Sequence, residues 1–94
     1  MATRTVTIGS SSGLHARPAK LFVEAASEQP VEVRISTAAK AAVPARSLLA
    51  VMALGAHQGT EVTLEADDGP EADSALDTLA ALLARDLDAE PDNA

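Results

Sequence analysis

The chain has 94 residues, room for one modest core and not for two, so a single domain is expected. Its net charge of −7 argues against nucleic acid as the main partner, and the absence of cysteine excludes disulfides and thiolate metal sites. No apolar run approaches a membrane span, and Met1–Arg4 leads into strand-like alternation rather than a signal peptide, so the chain reads as soluble and cytoplasmic. The total charge hides a split. Residues 1–60 carry six Lys or Arg against three acids, whereas residues 61–94 carry one Arg against eleven acids.

Arg4-Thr5-Val6-Thr7-Ile8 alternates polar and apolar residues, as a half-buried strand does. Gly9-Ser10-Ser11-Ser12-Gly13 then makes a flexible turn. From about Ala16 to Ser27, Ala19, Phe22, Val23 and Ala26 fall on one helical stripe, and Gln29-Pro30 ends it. Val31, Val33 and Ile35 alternate with polar residues as a second strand, and the alanine-rich Thr37–Val43 reads as a short edge strand. Ser47 is a natural N-cap for a short helix that Gly55 stops. If Val51 and Leu54 of that helix point inward, Leu48, Leu49 and Met52 form a second apolar stripe facing solvent, a pattern of docking surfaces; a helix buried on most sides would explain it equally. Thr60–Ala66 alternates again as the last strand. Asp67–Pro70 then turns into a helix with Ala72, Ala75, Leu76, Leu79, Leu82 and Leu83 on its core side. Residues 89–94 read as an acidic tail outside a domain of residues 1–88. The order strand, helix, strand, strand, helix, strand, helix suits an α+β two-layer sandwich, an antiparallel sheet with helices covering one face.

The chemistry concentrates in Gly13-Leu14-His15-Ala16-Arg17-Pro18-Ala19-Lys20. Pro18 fits the first turn of a helix, where its missing N–H costs nothing. His15 therefore stands at an open helix N-terminus, whose free N–H groups favour an anion, and Arg17 adds a fork of donors suited to phosphate oxygens. Imidazole is a nucleophile that is largely uncharged near neutrality, because its ordinary pKa is about 6.5. A nucleophilic ring beside a phosphate cradle suits a transient phosphohistidine. A solvated or capping histidine is the competing explanation for His15 alone. His57 has no companions at ligand spacing and reads as a solvated loop residue, so no metal site and no cofactor are expected.

Gly13-Leu14-His15-Ala16-Arg17-Pro18-Ala19 resembles the active-site signature of the HPr family, the histidine-containing phosphocarriers of the phosphoenolpyruvate:sugar phosphotransferase system. The resemblance covers nearly the whole chain. It implies a four-stranded antiparallel sheet with three helices on one side, in the order βαββαβα. It also implies a carrier acted on by other enzymes rather than a catalyst with its own turnover. Nδ1 of His15 would take phosphate from phospho-enzyme I and pass it to enzyme IIA components for sugar uptake. Arg17 and the backbone N–H groups of Ala16 and Arg17 would stabilise the phosphoryl group. Lys20, Arg46, Leu48, Leu49 and Met52 would form the docking surface of a monomer.

Ser47 matches the regulatory phosphorylation site of many relatives, which would add a Ser kinase/phosphorylase as partner. Ala39, Pro44 and Arg46 stand where relatives commonly carry Gly, Asn and Lys, and Pro44 removes a backbone N–H. Ser47 therefore reads first as a plain N-cap. Two alternatives share the fold: a regulatory binding module acting through the Leu48/Leu49/Met52 stripe, and a carrier of a nitrogen-regulatory or dihydroxyacetone-kinase branch.

Overall fold

A computed structural model describes residues 1–87; the expected acidic tail, 89–94, lies outside the described residues, as does Asp88. The elements are β1 (Ala2–Thr7), α1 (Ala16–Ser27), β2 (Arg34–Thr37), β3 (Val43–Pro44), α2 (Leu48–Ala53), β4 (Glu61–Ala66) and α3 (Ala72–Ala84). The strands form one antiparallel sheet in the order β1-β4-β2-β3. This is the open-faced α+β sandwich that the element order implies.

Alternation positions the core. Along β4, Val62, Leu64 and Ala66 are buried while Glu61, Thr63 and Glu65 face the open side. Val6 pairs across from Val62 and Ile35 from Leu64, which lines up one apolar face. α1 contributes Ala19, Phe22 and Ala26 to it, and α3 contributes Ala72, Ala75, Leu76, Leu79 and Leu83. Leu82, expected on that stripe, is only half-buried, and Val23 on α1 likewise lies at the margin of the core.

Two boundaries differ from expectation, each for a local reason. β2 begins at Arg34 rather than Val31. Val33 is nevertheless buried, and its carbonyl accepts from Ala45 N–H at 2.9 Å. The expected edge strand over Thr37–Val43 is instead a tight turn followed by β3. Thr37 N–H donates to Lys40 O (3.2 Å), Lys40 N–H donates to Thr37 O (3.3 Å), and Thr37 Oγ1 accepts from Ala39 and Lys40 N–H. That side-chain turn uses the groups a strand ladder would need. Pro44 then lies on the sheet edge, where no N–H is required of it.

The charge split is partly closed by pairing. Arg4 sits opposite Leu64 on the helix-facing side of the edge strand and reaches Asp77 (2.8 Å) and Asp73 (3.3 Å) of α3. Its hydrogen bond and charge interaction with Asp77 raise the guanidinium pKa above its ordinary value, with Asp73 adding less. On the open face Arg34 pairs with its cross-strand neighbour Glu65 at 3.2 Å and with Asp67 at 3.5 Å.

Candidate functional site

The site is built where three segments meet: the 8–15 loop, the 55–60 loop and the chain leaving α3. The glycine-serine turn is anchored rather than flexible. Gly9 N–H donates to Leu83 O at 2.9 Å, and a Cβ at Gly9 would collide with the Ala84 carbonyl. Ser10 is buried; its hydroxyl donates to Arg85 O (3.3 Å) and accepts from Leu87 N–H (3.1 Å). Ser11 N–H donates to Asp86 Oδ1 at 3.2 Å. These partners are more than seventy residues away in sequence, so local composition could not reveal them.

Gly13 closes the turn with φ +71°, and Leu14, fully buried, donates its N–H to Ala56 O at 2.9 Å. His15 follows as the N-cap of α1, in extended conformation (φ −132°, ψ 164°), and its side chain makes no capping hydrogen bond. The imidazole is half-buried and is not held by the helix end, unlike the capping alternative. No acidic residue occupies the first turn of α1. Among the described residues no acceptor engages the N–H groups of Ala16 or Arg17, which leaves the positive helix end open beside the ring.

Ala16 has φ +49°, the left-handed region that a residue with a Cβ rarely adopts. Strain of this kind costs on the order of 1–2 kcal/mol and persists where the surroundings dictate it. Here the surroundings are the anchored turn before His15 and the buried Pro18 and Ala19 after it.

Arg17 is partly buried, and its Nη1 donates to the main-chain carbonyl of Leu87 at 2.6 Å. A guanidinium carries five N–H donors, so this bond orients the side chain while using one of them. Leu87, just ahead of the expected tail, is itself buried.

Of the expected docking residues, Leu49 is 82% exposed and Leu48 40%, whereas Met52 is half-buried against the core. Val51 and Leu54 point inward, so the short helix is two-sided rather than buried all round. Lys20 is exposed. Arg46 also serves the fold, because its guanidinium donates to the carbonyls of Ala26 (3.5 Å), Gln29 (2.9 Å) and Val31 (3.4 Å) and so closes the C-terminal end of α1. Ser47 is the N-cap of α2, with its Oγ accepting from Ala50 N–H at 3.3 Å.

His57 was legible only as a loop residue. It is exposed, but its ring centroid lies 6.2 Å from that of His15, at a tilt of 47°. Among the described residues no group of three or more His, Asp or Glu side chains converges as a metal site would require.

The family model described as "PTS HPr component phosphorylation site" matches residues 2–85. The chain is 47% identical over 92 residues to the phosphocarrier protein HPr of Streptomyces coelicolor, covering 98% of both chains. The chain belongs to the HPr family. Solved HPr-family structures share its fold. The Bacillus anthracis phosphocarrier HPr superposes with a TM-score of 0.80 at 32% identity, over 87% of this chain and 95% of that one. The solution structure of Crh, the Bacillus subtilis catabolite repression HPr, gives 0.66 at 35% identity, over 92% and 100%. It is thus a phosphocarrier-family protein with an α+β sandwich, and no helix among the described residues is long and apolar enough to cross a membrane.

Proposed function

We propose that His15 carries a phosphoryl group between phospho-enzyme I and enzyme IIA components of the sugar phosphotransferase system. The observation that carries this reading is the uncapped, half-buried imidazole of His15 at an α1 N-terminus whose first N–H groups have no described acceptor. In the charging step a lone pair of the His15 ring attacks phosphorus. The bond from phosphorus to the donor nitrogen breaks, and its electron pair stays with the donor. The second step is the same displacement with His15 as leaving group. The N–H groups of Ala16 and Arg17 and the Arg17 fork hold the phosphoryl oxygens while charge redistributes. Because a carrier must also release its cargo, these donors act best when they favour the transition state over the stored phospho-form.

Docking falls to the exposed Leu48 and Leu49, to the accessible edge of Met52, and to Lys20 and Arg46, cations suited to acidic partner surfaces. A carrier that presents one site to successive partners works as a monomer in the cytoplasm. The hydroxyl of Ser47, which opens the helix bearing Leu48 and Leu49, is the regulatory candidate. A phosphate on it would place negative charge beside the docking stripe and weaken acidic partners there, given a dedicated kinase.

A phosphorelay assay tests the assignment. The protein charged by enzyme I and radiolabelled phosphoenolpyruvate should pass its label to a sugar-specific enzyme IIA. Label that moves only from a nitrogen-branch donor, or to a dihydroxyacetone-kinase subunit, would reassign the branch.

A further inference from the structure

His57 belongs to the site through its main chain. Leu14 N–H donates to Ala56 O at 2.9 Å, Gly59 N–H to Ile8 O at 2.9 Å, and Gln58 Nε2 to Gly9 O at 3.2 Å. A Cβ at Gly13 would come to 2.5 Å from Ala56 O and 2.9 Å from His57 Cα, so the two loops are in direct backbone contact just ahead of His15. His57 itself is fixed at both ends: its N–H donates to Thr60 Oγ1 (3.0 Å) and its carbonyl accepts from Thr60 N–H (3.0 Å). The outcome is a second imidazole whose ring centre is 6.2 Å from that of His15. The rings are therefore neighbours, close enough that an oxygen of a phosphoryl group on a His15 nitrogen, bent toward His57, comes within a hydrogen bond of about 2.8 Å of its ring N–H.

We propose that His57 is a second phosphate-contacting residue, whose ring N–H donates to an oxygen of the phosphoryl group held on His15 and prolongs the life of the phospho-form. This rests on His15 being the phosphorylated residue. The charged side chains on the neighbouring segments are Arg17 on α1, Glu61 at the start of β4, and Arg85 and Asp86 behind α3, with Asp86 engaged by Ser11.

The sign follows from the chemistry. In hydrolysis the phosphorus–nitrogen bond breaks, its electron pair stays on the His15 ring, and water adds its oxygen to phosphorus, one water proton going to the ring and inorganic phosphate leaving. A loose transition state resembles metaphosphate, with less negative charge on the phosphoryl oxygens than the bound dianion. A donor that meets those oxygens in the stored phospho-form, unlike the α1 N–H groups and Arg17 assigned to the transfer step, therefore stabilises the phospho-form more than the transition state of hydrolysis.

The test is the decay of the phospho-form of the full chain, charged by enzyme I and followed by ³¹P NMR, in wild type, His57→Phe and His57→Gln. His57→Phe should decay three- to tenfold faster than wild type, about what one hydrogen bond is worth. His57→Gln keeps an N–H donor and should decay more slowly than His57→Phe. Charged wild type that decays at the same rate as His57→Phe, or His57→Gln that decays as fast as His57→Phe, overturns the role of His57 and leaves that of His15 intact. A wild-type chain that takes no phosphoryl group from enzyme I or from a nitrogen-branch donor overturns both.

Discussion

Arg17 Nη1 lies 2.6 Å from the carbonyl oxygen of Leu87, a bond that joins the first turn of α1 to the chain leaving α3 across seventy residues. The residue expected to steady the phosphoryl group is thus oriented by the far end of the domain. Arg17→Lys keeps the charge but not the planar fork. It should slow phosphoryl acceptance by about 10–100-fold, the range for losing part of a preorganised donor set. Rapid-quench kinetics would measure this. A variant as fast as wild type would remove Arg17 from the transfer step.

Ala16 stores backbone strain at φ +49°. Ala16→Gly relieves it but adds chain entropy to the unfolded state, two effects of similar size, so stability should change by less than about 1 kcal/mol. A β-branched residue is worse placed in that region. Ala16→Val should therefore be the less stable of the two variants by about 1–2 kcal/mol in urea unfolding. Equal stabilities would show that the left-handed conformation is not held in solution.

Ser47 Oγ accepts from Ala50 N–H. Ser47→Ala should cost about 1 kcal/mol, and Ser47→Asp, which still caps, much less. If Ser47→Asp impairs transfer while Ser47→Ala does not, the charge rather than the cap governs docking. Thermal unfolding alongside the relay assay separates the two.

Leu49, 82% exposed, is the cleanest probe of the proposed docking stripe. Leu49→Glu should alter stability by less than about 0.5 kcal/mol, as surface changes do, and slow transfer to enzyme IIA several-fold. Met52 is less decisive because it is half-buried and a charge there would disturb packing too.

Short-range pattern in the sequence carried much of the fold. The Ala19/Phe22/Ala26 stripe gave α1 its span, the Ser47 cap and Gly55 bracketed α2, and the Val62/Leu64/Ala66 alternation gave β4 its inward face. Thr37 escaped because its hydroxyl competes for the N–H groups of Ala39 and Lys40, a local bond that overrides a weak strand propensity. In the site, His15, Arg17 and the open helix end were legible from their spacing. The anchoring of Ser10 by Arg85 and Leu87, the Arg17–Leu87 bond and the approach of His57 to His15 were not, since each joins segments that only the folded sheet and α3 bring together.

Phosphocarrier function in this chain stands or falls with His15 as the residue that holds the phosphoryl group. The most direct measurement is the label left on the protein after incubation with enzyme I and ³²P-phosphoenolpyruvate, compared between wild type and His15→Ala. Wild type should carry an acid-labile, alkali-stable label and His15→Ala none, with unfolding of the variant little changed because the ring is neither a cap nor part of the core. Undiminished label on a folded His15→Ala protein would contradict the assignment.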